Sequence, residues 1–452
     1  MAGPAAAPGR DSWGTRAGFI LAAVGSAVGL GNMWRFSYVA SQGGGAAFVL
    51  LYLLIVAGVG IPLMTSEFVV GRMAQQSPAR AVRRLGGPAW TPLGWLFVLC
   101  GLGILSYYSV IAGWTMRYAV DAVRNAIPTD TAGYFGEVSA GVDALVTHLI
   151  FMAITIFIVA GGVKKGIERA SLIMMPLLFM ILLGLAVWSG TLSGAGDAYG
   201  YYMRPDLSRL FDRQILTDAA GQAFFSLSLG MGALMTYASY LSSKENLARE
   251  AATVALTDFG VAFVAGLVVF PVIFTFGLQD QIGASSIGAL FIALPAGFEE
   301  LGRTGDFIDS AFFVMLFFAA LTSAISLLEV VVAAVVDSWQ WARGKAAIVC
   351  GGVIAVLGVP SAFNTDFLGA ADALVGNFLL IVGGLFTAIL VGYRILPQAD
   401  QELASGLHNV GARRAWAVFV RYLAPAVLLV VLYFLLGPTW DAVRTLVTFG
   451  RS

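Results

Sequence analysis

Apolar residues run along this chain in blocks of about 20, each long enough to cross the hydrocarbon core of a bilayer as a helix. The blocks fall at about 17 to 41, 46 to 70, 93 to 124, 142 to 160, 167 to 189, 219 to 241, 254 to 277, 307 to 337, 345 to 360, 369 to 393 and 417 to 437. The pattern predicts an all-α polytopic membrane protein with about eleven transmembrane helices. Residues 1–16 precede the first block as a cytoplasmic arm, and the last segment, GPTWDAVRTLVTFGRS, is too short and too charged for a twelfth span.

Two of these blocks weaken their own backbone. VGSAVGLGNMWRF (24–36) carries Gly25, Gly29 and Gly31 beside Ser26, and QAFFSLSLGMGALMTY (222–237) repeats the device with Gly230 and Gly232 beside Ser226 and Ser228. Glycine-broken helices at matched positions predict an inverted repeat whose interrupted middles meet near the midplane, where secondary transporters bind substrate. The halves are expected at 17–189 (helices one to five) and 219–393 (helices six to ten), joined by an extracellular loop at 190–218, with 394–452 holding helix eleven and the tail. Unpaired N–H and C=O groups facing lipid would cost several kcal/mol each, so the breaks should line a cavity. Freed N–H groups suit a carboxylate, and freed carbonyls suit a small hard cation such as Na⁺. Side-chain oxygens stand nearby in Asn32 and Ser226, and in Thr322 and Ser323 of FFAALTSAISLLE (317–329), while Asp258 of ALTDFGVAF opens another apolar run. Glu67 lies inside an apolar run and must be bonded or protonated, which points to a structural tie to nearby helix ends.

Composition supports a lipid solvent: 59% of the 452 residues are hydrophobic, 12% are charged, and mean hydropathy is +0.85. The net charge of +0 gives no hint of a nucleic-acid partner. The two cysteines, Cys100 and Cys350, sit in apolar runs as packing thiols. The apolar run after Arg16 is too long and glycine-broken for a cleaved secretory signal. The loop at 71–92 holds Arg72, Arg80, Arg83 and Arg84, and basic residues recur at Lys164, Lys165, Arg169, Arg343, Lys345, Arg413 and Arg414. The intervening connections instead carry Asp130 and Glu137, then Asp280, Glu299 and Glu300. Positive-inside reasoning places the N-terminus in the cytoplasm and, with an odd helix count, the C-terminus outside. An intramembrane enzyme is disfavoured, because His148 and His408 lie at predicted helix ends and no paired catalytic groups occur at depth.

GFILAAVGSAVGLGNMWRF, SQGGGAAF, SYYSVIAGW, KKGIERASLIMMP, FFSLSLGMGALMTYASY and FFAALTSA together, in this order, resemble the neurotransmitter:sodium symporters, and most closely their bacterial amino acid transporters of the LeuT and MhsT kind. The resemblance spans nearly the whole chain and implies a LeuT-type 5+5 inverted repeat with helices one and six unwound. It also implies two Na⁺ ions, a hydrophobic L-amino acid as partner, and residence in a bacterial inner membrane. The first sodium site would comprise the Ala27 carbonyl, Asn32, Ser226 and Asp258, completed by the substrate carboxylate. The second would use the carbonyls of Gly25, Val28 and Ala319 with the hydroxyls of Thr322 and Ser323. Hard oxygen ligands of this kind suit Na⁺.

The implied substrate-binding set is Ser26, Ala27, Gly31, Ile104, Tyr108, Phe225, Ser226, Ser228, Met231, Ser323 and Leu327, with Tyr108 donating to the carboxylate. Monoamine members carry an aspartate where Gly29 stands, so here the substrate must bring its own acid. The side-chain end, Ser26, Ile104, Phe225, Met231 and Leu327, is uncharged, and a flexible thioether can yield to ligands of different size, phenylalanine, tyrosine and tryptophan included. Tyr52, Gln222 and Ser226 match the chloride site of animal members, but Asp258 replaces an asparagine and Ala262 stands where other bacterial members carry a glutamate. Chloride-independent transport is the expectation. Arg35 with Asp372 resembles the outer gate, and Arg10 with Asp337, supported by Tyr240 and Trp13, the inner one. Gly166 and Pro176 match a spacing the family uses to unwind helix five. Ser37 and Gln42 depart from the usual proline and asparagine. A substrate-sensing receptor of the same fold would share all these features.

Overall fold

The computed structural model describes residues 11–242, 245–278 and 286–449, so Arg10 and Asp280 lie outside the described residues. Thr15 opens the first helix, α1 (Arg16–Ala27), its hydroxyl accepting the Gly18 N–H at 2.9 Å as an N-cap. The chain bends by 58° across Val28–Leu30 into α2 (Gly31–Gln42). The glycine triplet then makes a turn that needs glycine. Gly44 and Gly45 have φ of +74° and +59°, and a Cβ on Gly45 would stand 2.4 Å from the Tyr201 carbonyl.

The remaining elements follow in chain order as α3 (Ala46–Ala74), α4 (Pro78–Gly86), α5 (Pro88–Val123), α6 (Thr131–Ser139), α7 (Val142–Ala160) and α8 (Val163–Ser189). After them come α9 (Ala195–Met203), α10 (Arg213–Ser226), α11 (Ala233–Ala238), α12 (Leu247–Thr275), α13 (Leu290–Glu299) and α14 (Arg303–Trp339). The chain ends with α15 (Arg343–Phe363), α16 (Thr365–Arg394), α17 (Leu396–Ala404) and α18 (Val410–Thr448).

Among the described residues nine helices are long and apolar enough to cross a membrane, and the bent pair α1/α2 makes a tenth. The broken pair α10/α11 falls where an eleventh span is expected, but its pieces, 14 and 6 residues, are short. Membrane solvation explains the outer shell: Phe157, Val187 and Tyr433 stand largely exposed on α7, α8 and α18. The broken α1 is shielded from that surface by α8, α12 and α14, while α14 packs along α5 in the interior.

Several boundaries differ from the sequence reading. The expected loop at 190–218 holds α9, and the helix leading into the second break starts at Arg213 and ends at Ser226. The segment GPTWDAVRTLVTFGRS, too short for a span of its own, continues α18 to Thr448. The loops at 71–92 and 125–141 carry the amphipathic α4 and the short α6. Arg72 is not a loop charge: it is buried at the end of α3, with its Nε 2.5 Å from Glu402 Oε1 on α17. In this structure α8 is helical from Val163 to Ser189, with Pro176 inside it.

Candidate functional site

The two breaks face each other and are held open by side chains from neighbouring helices. In the first, Gly29 donates its N–H to Asn32 Oδ1 at 2.9 Å, and the Leu30 N–H points at the Tyr108 hydroxyl at 3.5 Å. In the second, Ser228, Gly230 and Gly232 all take positive φ. Glycine is required at 230, where a Cβ would stand 2.0 Å from the Leu380 carbonyl. Glu67 accepts the freed Gly230 N–H at 2.8 Å, the tie expected of a buried acid beside a helix end.

Asp258 is fully buried and gathers three elements. Its Oδ1 accepts from Asn32 Nδ2 at 2.7 Å, and its Oδ2 accepts from the Ser226 hydroxyl at 2.8 Å and from the Tyr52 hydroxyl at 3.3 Å. Gln222, expected in the same group, donates instead to the Gly31 carbonyl at 3.0 Å. On the other side of α1, the Ser323 hydroxyl lies 3.4 Å from the Gly25 carbonyl and 3.5 Å from that of Val28. The neighbouring Thr322 hydroxyl donates to the Ala319 carbonyl at 3.1 Å. Among the described residues no group of three or more His, Cys, Asp or Glu is placed to hold a metal. Oxygens for an ion here come from carbonyls, hydroxyls, Asn32 and one carboxylate.

Between the breaks lies a cavity of about 370 Å³. All eleven residues of the expected substrate set line it: Ser26, Ala27, Gly31, Ile104, Tyr108, Phe225, Ser226, Ser228, Met231, Ser323 and Leu327. Gly29, Leu30 and Ser326 complete the lining. Ser326 escaped the sequence reading because one more serine in an apolar helix carries no periodic signal. A wider vestibule of about 1330 Å³ adjoins it, with Tyr108 and Phe225 shared by both and Arg35 and Asp372 on its walls.

The structure does not bring Arg35 and Asp372 into direct contact. Arg35 Nη2 donates to Asn377 Oδ1 at 2.5 Å, and Asn377 Nδ2 donates to Asp372 Oδ2 at 3.3 Å, so the amide stands between the charges. Asp372 also accepts from the Tyr107 hydroxyl at 2.8 Å, and the Arg35 guanidinium lies 5.2 Å from the Phe225 ring centre. With the vestibule open, an indirect pair is the physical consequence: the two walls stand apart by roughly the length of an amide side chain.

The opposite end is closed. Trp13 donates its indole N–H to the Tyr237 carbonyl at 2.9 Å and packs edge-on against Tyr237 and Tyr240. Tyr240 donates to Glu329 Oε1 at 2.6 Å, and Arg343 bridges Glu329 Oε2 at 2.5 Å and Asp11 Oδ2 at 2.9 Å. Asp337 accepts the backbone N–H of Ser77 at 2.5 Å at the start of α4. Glu168 accepts from the Gly14 N–H and the Thr15 hydroxyl, each at 2.7 Å. The ties of Glu329 to Tyr240 and of Glu168 to Gly14 and Thr15 were not legible, because these partners lie 89, 154 and 153 residues away in sequence.

Two helices broken at the centre of the bundle, around a cavity with a vestibule adjoining it, are the architecture of a secondary transporter. The chain matches the sodium:neurotransmitter symporter family over residues 10–135 and 135–439, and it belongs to that family. It is 36% identical over 447 residues to the uncharacterized sodium-dependent transporter YhdH of Bacillus subtilis, covering 94% of this chain and 97% of that one. It is 27% identical over 380 residues to the sodium-dependent serotonin transporter of Drosophila melanogaster, covering 74% of this chain and 61% of that one. Among solved structures, that of MhsT in complex with L-phenylalanine superposes with a TM-score of 0.86 at 40% identity, covering 94% of this chain and 99% of MhsT. The protein is thus a sodium-dependent, multi-pass membrane transporter with the fold of MhsT, and not an enzyme.

Proposed function

We propose that this transporter takes up hydrophobic L-amino acids, aromatic ones included, together with two Na⁺ ions, by alternating access and without chloride. The observation that carries this reading is the cavity itself. Its lining has no charged side chain, and Gly29 leaves vacant the position from which an aspartate would pair a free amine. A substrate must then bring its own carboxylate, which the Leu30 N–H and the Tyr108 hydroxyl can receive. Ile104, Phe225, Met231 and Leu327 suit an apolar side chain. The likeness to MhsT, solved with L-phenylalanine, supports the same class.

One ion would sit among the Ala27 carbonyl, Asn32, Ser226, Asp258 and the substrate carboxylate, so that ion and substrate each complete the other's site. The second would sit among the carbonyls of Gly25, Val28 and Ala319 and the hydroxyls of Thr322 and Ser323. Asp258 would supply permanently the negative charge that chloride supplies elsewhere in the family. Two sodium ions falling through 100 mV release about 4.6 kcal/mol. A tenfold gradient adds about 1.4 kcal/mol per ion, enough for steep accumulation. The basic loops orient the protein with its N-terminus in the cytoplasm and its C-terminus outside, in the inner membrane. On that orientation the vestibule faces outward and the Trp13 end is the inner gate.

The test is uptake of labelled L-leucine and L-tryptophan into proteoliposomes under an inward Na⁺ gradient, against the same gradient of K⁺. Concentrative uptake with Na⁺ alone is expected. Sodium-dependent binding without uptake would make the protein a sensor, and the absence of both binding and uptake would overturn the substrate class.

A further inference from the structure

One wall of the cavity is built from serines, and their hydrogens are all committed inside the protein. Ser326 donates its hydroxyl hydrogen to the Ser323 carbonyl at 2.8 Å, an atom that can only accept. A serine has one such hydrogen, so the 2.8 Å contact between the hydroxyls of Ser26 and Ser326 requires Ser26 to be the donor. Ser228 likewise donates to the Ser26 carbonyl at 2.8 Å. What the wall offers a ligand is therefore lone pairs. Ser26 is 2% exposed, so once a substrate fills the cavity no bulk water can satisfy that oxygen.

We propose that Ser26 selects, among hydrophobic amino acids, those whose side chain ends in a hydrogen-bond donor, by accepting the indole N–H of tryptophan or the phenol O–H of tyrosine on its Oγ. This rests on reading the cavity as the amino acid site, with the side chain lying between Phe225, Met231 and Leu327. Phenylalanine and leucine fill the same space and leave the acceptor unmet. An ether or thioether at that place sets lone pair against lone pair, because Ser26 cannot turn its hydrogen away from Ser326 without breaking the relay. Leaving that buried acceptor unpaired costs phenylalanine and leucine the free energy of one hydrogen bond.

The test compares matched pairs in Na⁺-driven proteoliposome uptake: tyrosine against phenylalanine, and tryptophan against benzothienylalanine, which replaces the ring N–H by sulfur. The donor member of each pair should have a kcat/KM about 3- to 10-fold higher, the range of one hydrogen bond to a neutral group. Ser26→Ala should bring both ratios close to one. Ser326→Ala should free the Ser26 hydrogen, raising uptake of O-methyltyrosine relative to tyrosine, an effect that a packing role for the pair would not produce. Ratios near one in the unmodified protein, or ratios that persist in Ser26→Ala, would overturn the proposal. If Ser26→Ala does not fold, an unchanged O-methyltyrosine to tyrosine ratio in Ser326→Ala overturns it alone. Uptake of none of these amino acids would overturn the reading of the cavity, and this proposal with it; uptake of phenylalanine and leucine without the donor preference would overturn the proposal only.

Discussion

Asn32 Nδ2 lies 2.7 Å from Asp258 Oδ1, tying the broken first span to α12 at the centre of the bundle. There a buried carboxylate is held by an amide, a serine hydroxyl and a tyrosine hydroxyl. Neutralising it separates charge from shape. In Asp258→Asn the volume is kept and the negative charge is lost, so transport should become chloride-responsive, with uptake about tenfold faster in chloride than in gluconate, about 1.4 kcal/mol of restored charge balance. Uptake of labelled amino acid in the two salts checks this, and an unresponsive variant would remove Asp258 as the built-in anion.

Thr322 contributes one hydroxyl to the oxygens around the Gly25 and Ala319 carbonyls. Removing it in Thr322→Ala deletes one ligand of the second proposed ion and should raise the Na⁺ concentration for half-maximal uptake about 3- to 10-fold, as expected for a contact of about 0.5–1.5 kcal/mol. Asn32→Ala should do the same at the first proposed ion and also weaken substrate binding, because on the proposed arrangement the substrate carboxylate would itself be a ligand there. Sodium titrations of uptake at fixed amino acid concentration distinguish the two patterns.

Glu67 and Gly230 provide a stability test. Glu67→Ala leaves the buried Gly230 N–H without its 2.8 Å acceptor and should cost about 1–3 kcal/mol, read as a lowered melting temperature in detergent. Glu67→Gln keeps an acceptor and should recover most of the loss. Gly230→Ala must fit a Cβ 2.0 Å from a backbone oxygen at φ +78°, and should fail to give folded protein.

At the closed end, Trp13→Ala removes the hydrogen bond to the Tyr237 carbonyl and three ring contacts, with Phe19, Tyr237 and Tyr240. The closed arrangement should then be less populated. A cysteine introduced at the buried Ser239 should be alkylated several-fold faster in this background than with Trp13 intact. Equal rates would show that closure does not depend on Trp13.

Much of this architecture was legible because membrane burial leaves strong marks. Apolar blocks of bilayer length have few alternatives, and glycines in mid-span signal a break only if something useful lies beside it. Asn32, Ser226, Thr322 and Ser323 were legible because they are polar where lipid would forbid them, whereas Ile104, Met231 and Leu327 on the apolar wall were reached only through the family resemblance. What the chain concealed was of another kind. α4 and α9 are short and partly polar, so hydropathy passes over them as loops. Asn377 stands between Arg35 and Asp372 through a separation set by the open vestibule, which no residue pattern encodes. The link of Glu329 to Tyr240 and Arg343 arises from helix packing, and Ser326 is a single hydroxyl in a helix already rich in small residues.

The coupling of ion to substrate is tested most directly by measuring ²²Na⁺ and tritiated L-tryptophan entry together in the same proteoliposomes. Two coupled ions predict a flux ratio of about two, with both fluxes lost in Asn32→Ala. Tryptophan entry without accompanying sodium, or sodium-dependent binding with no flux of either, would contradict the account.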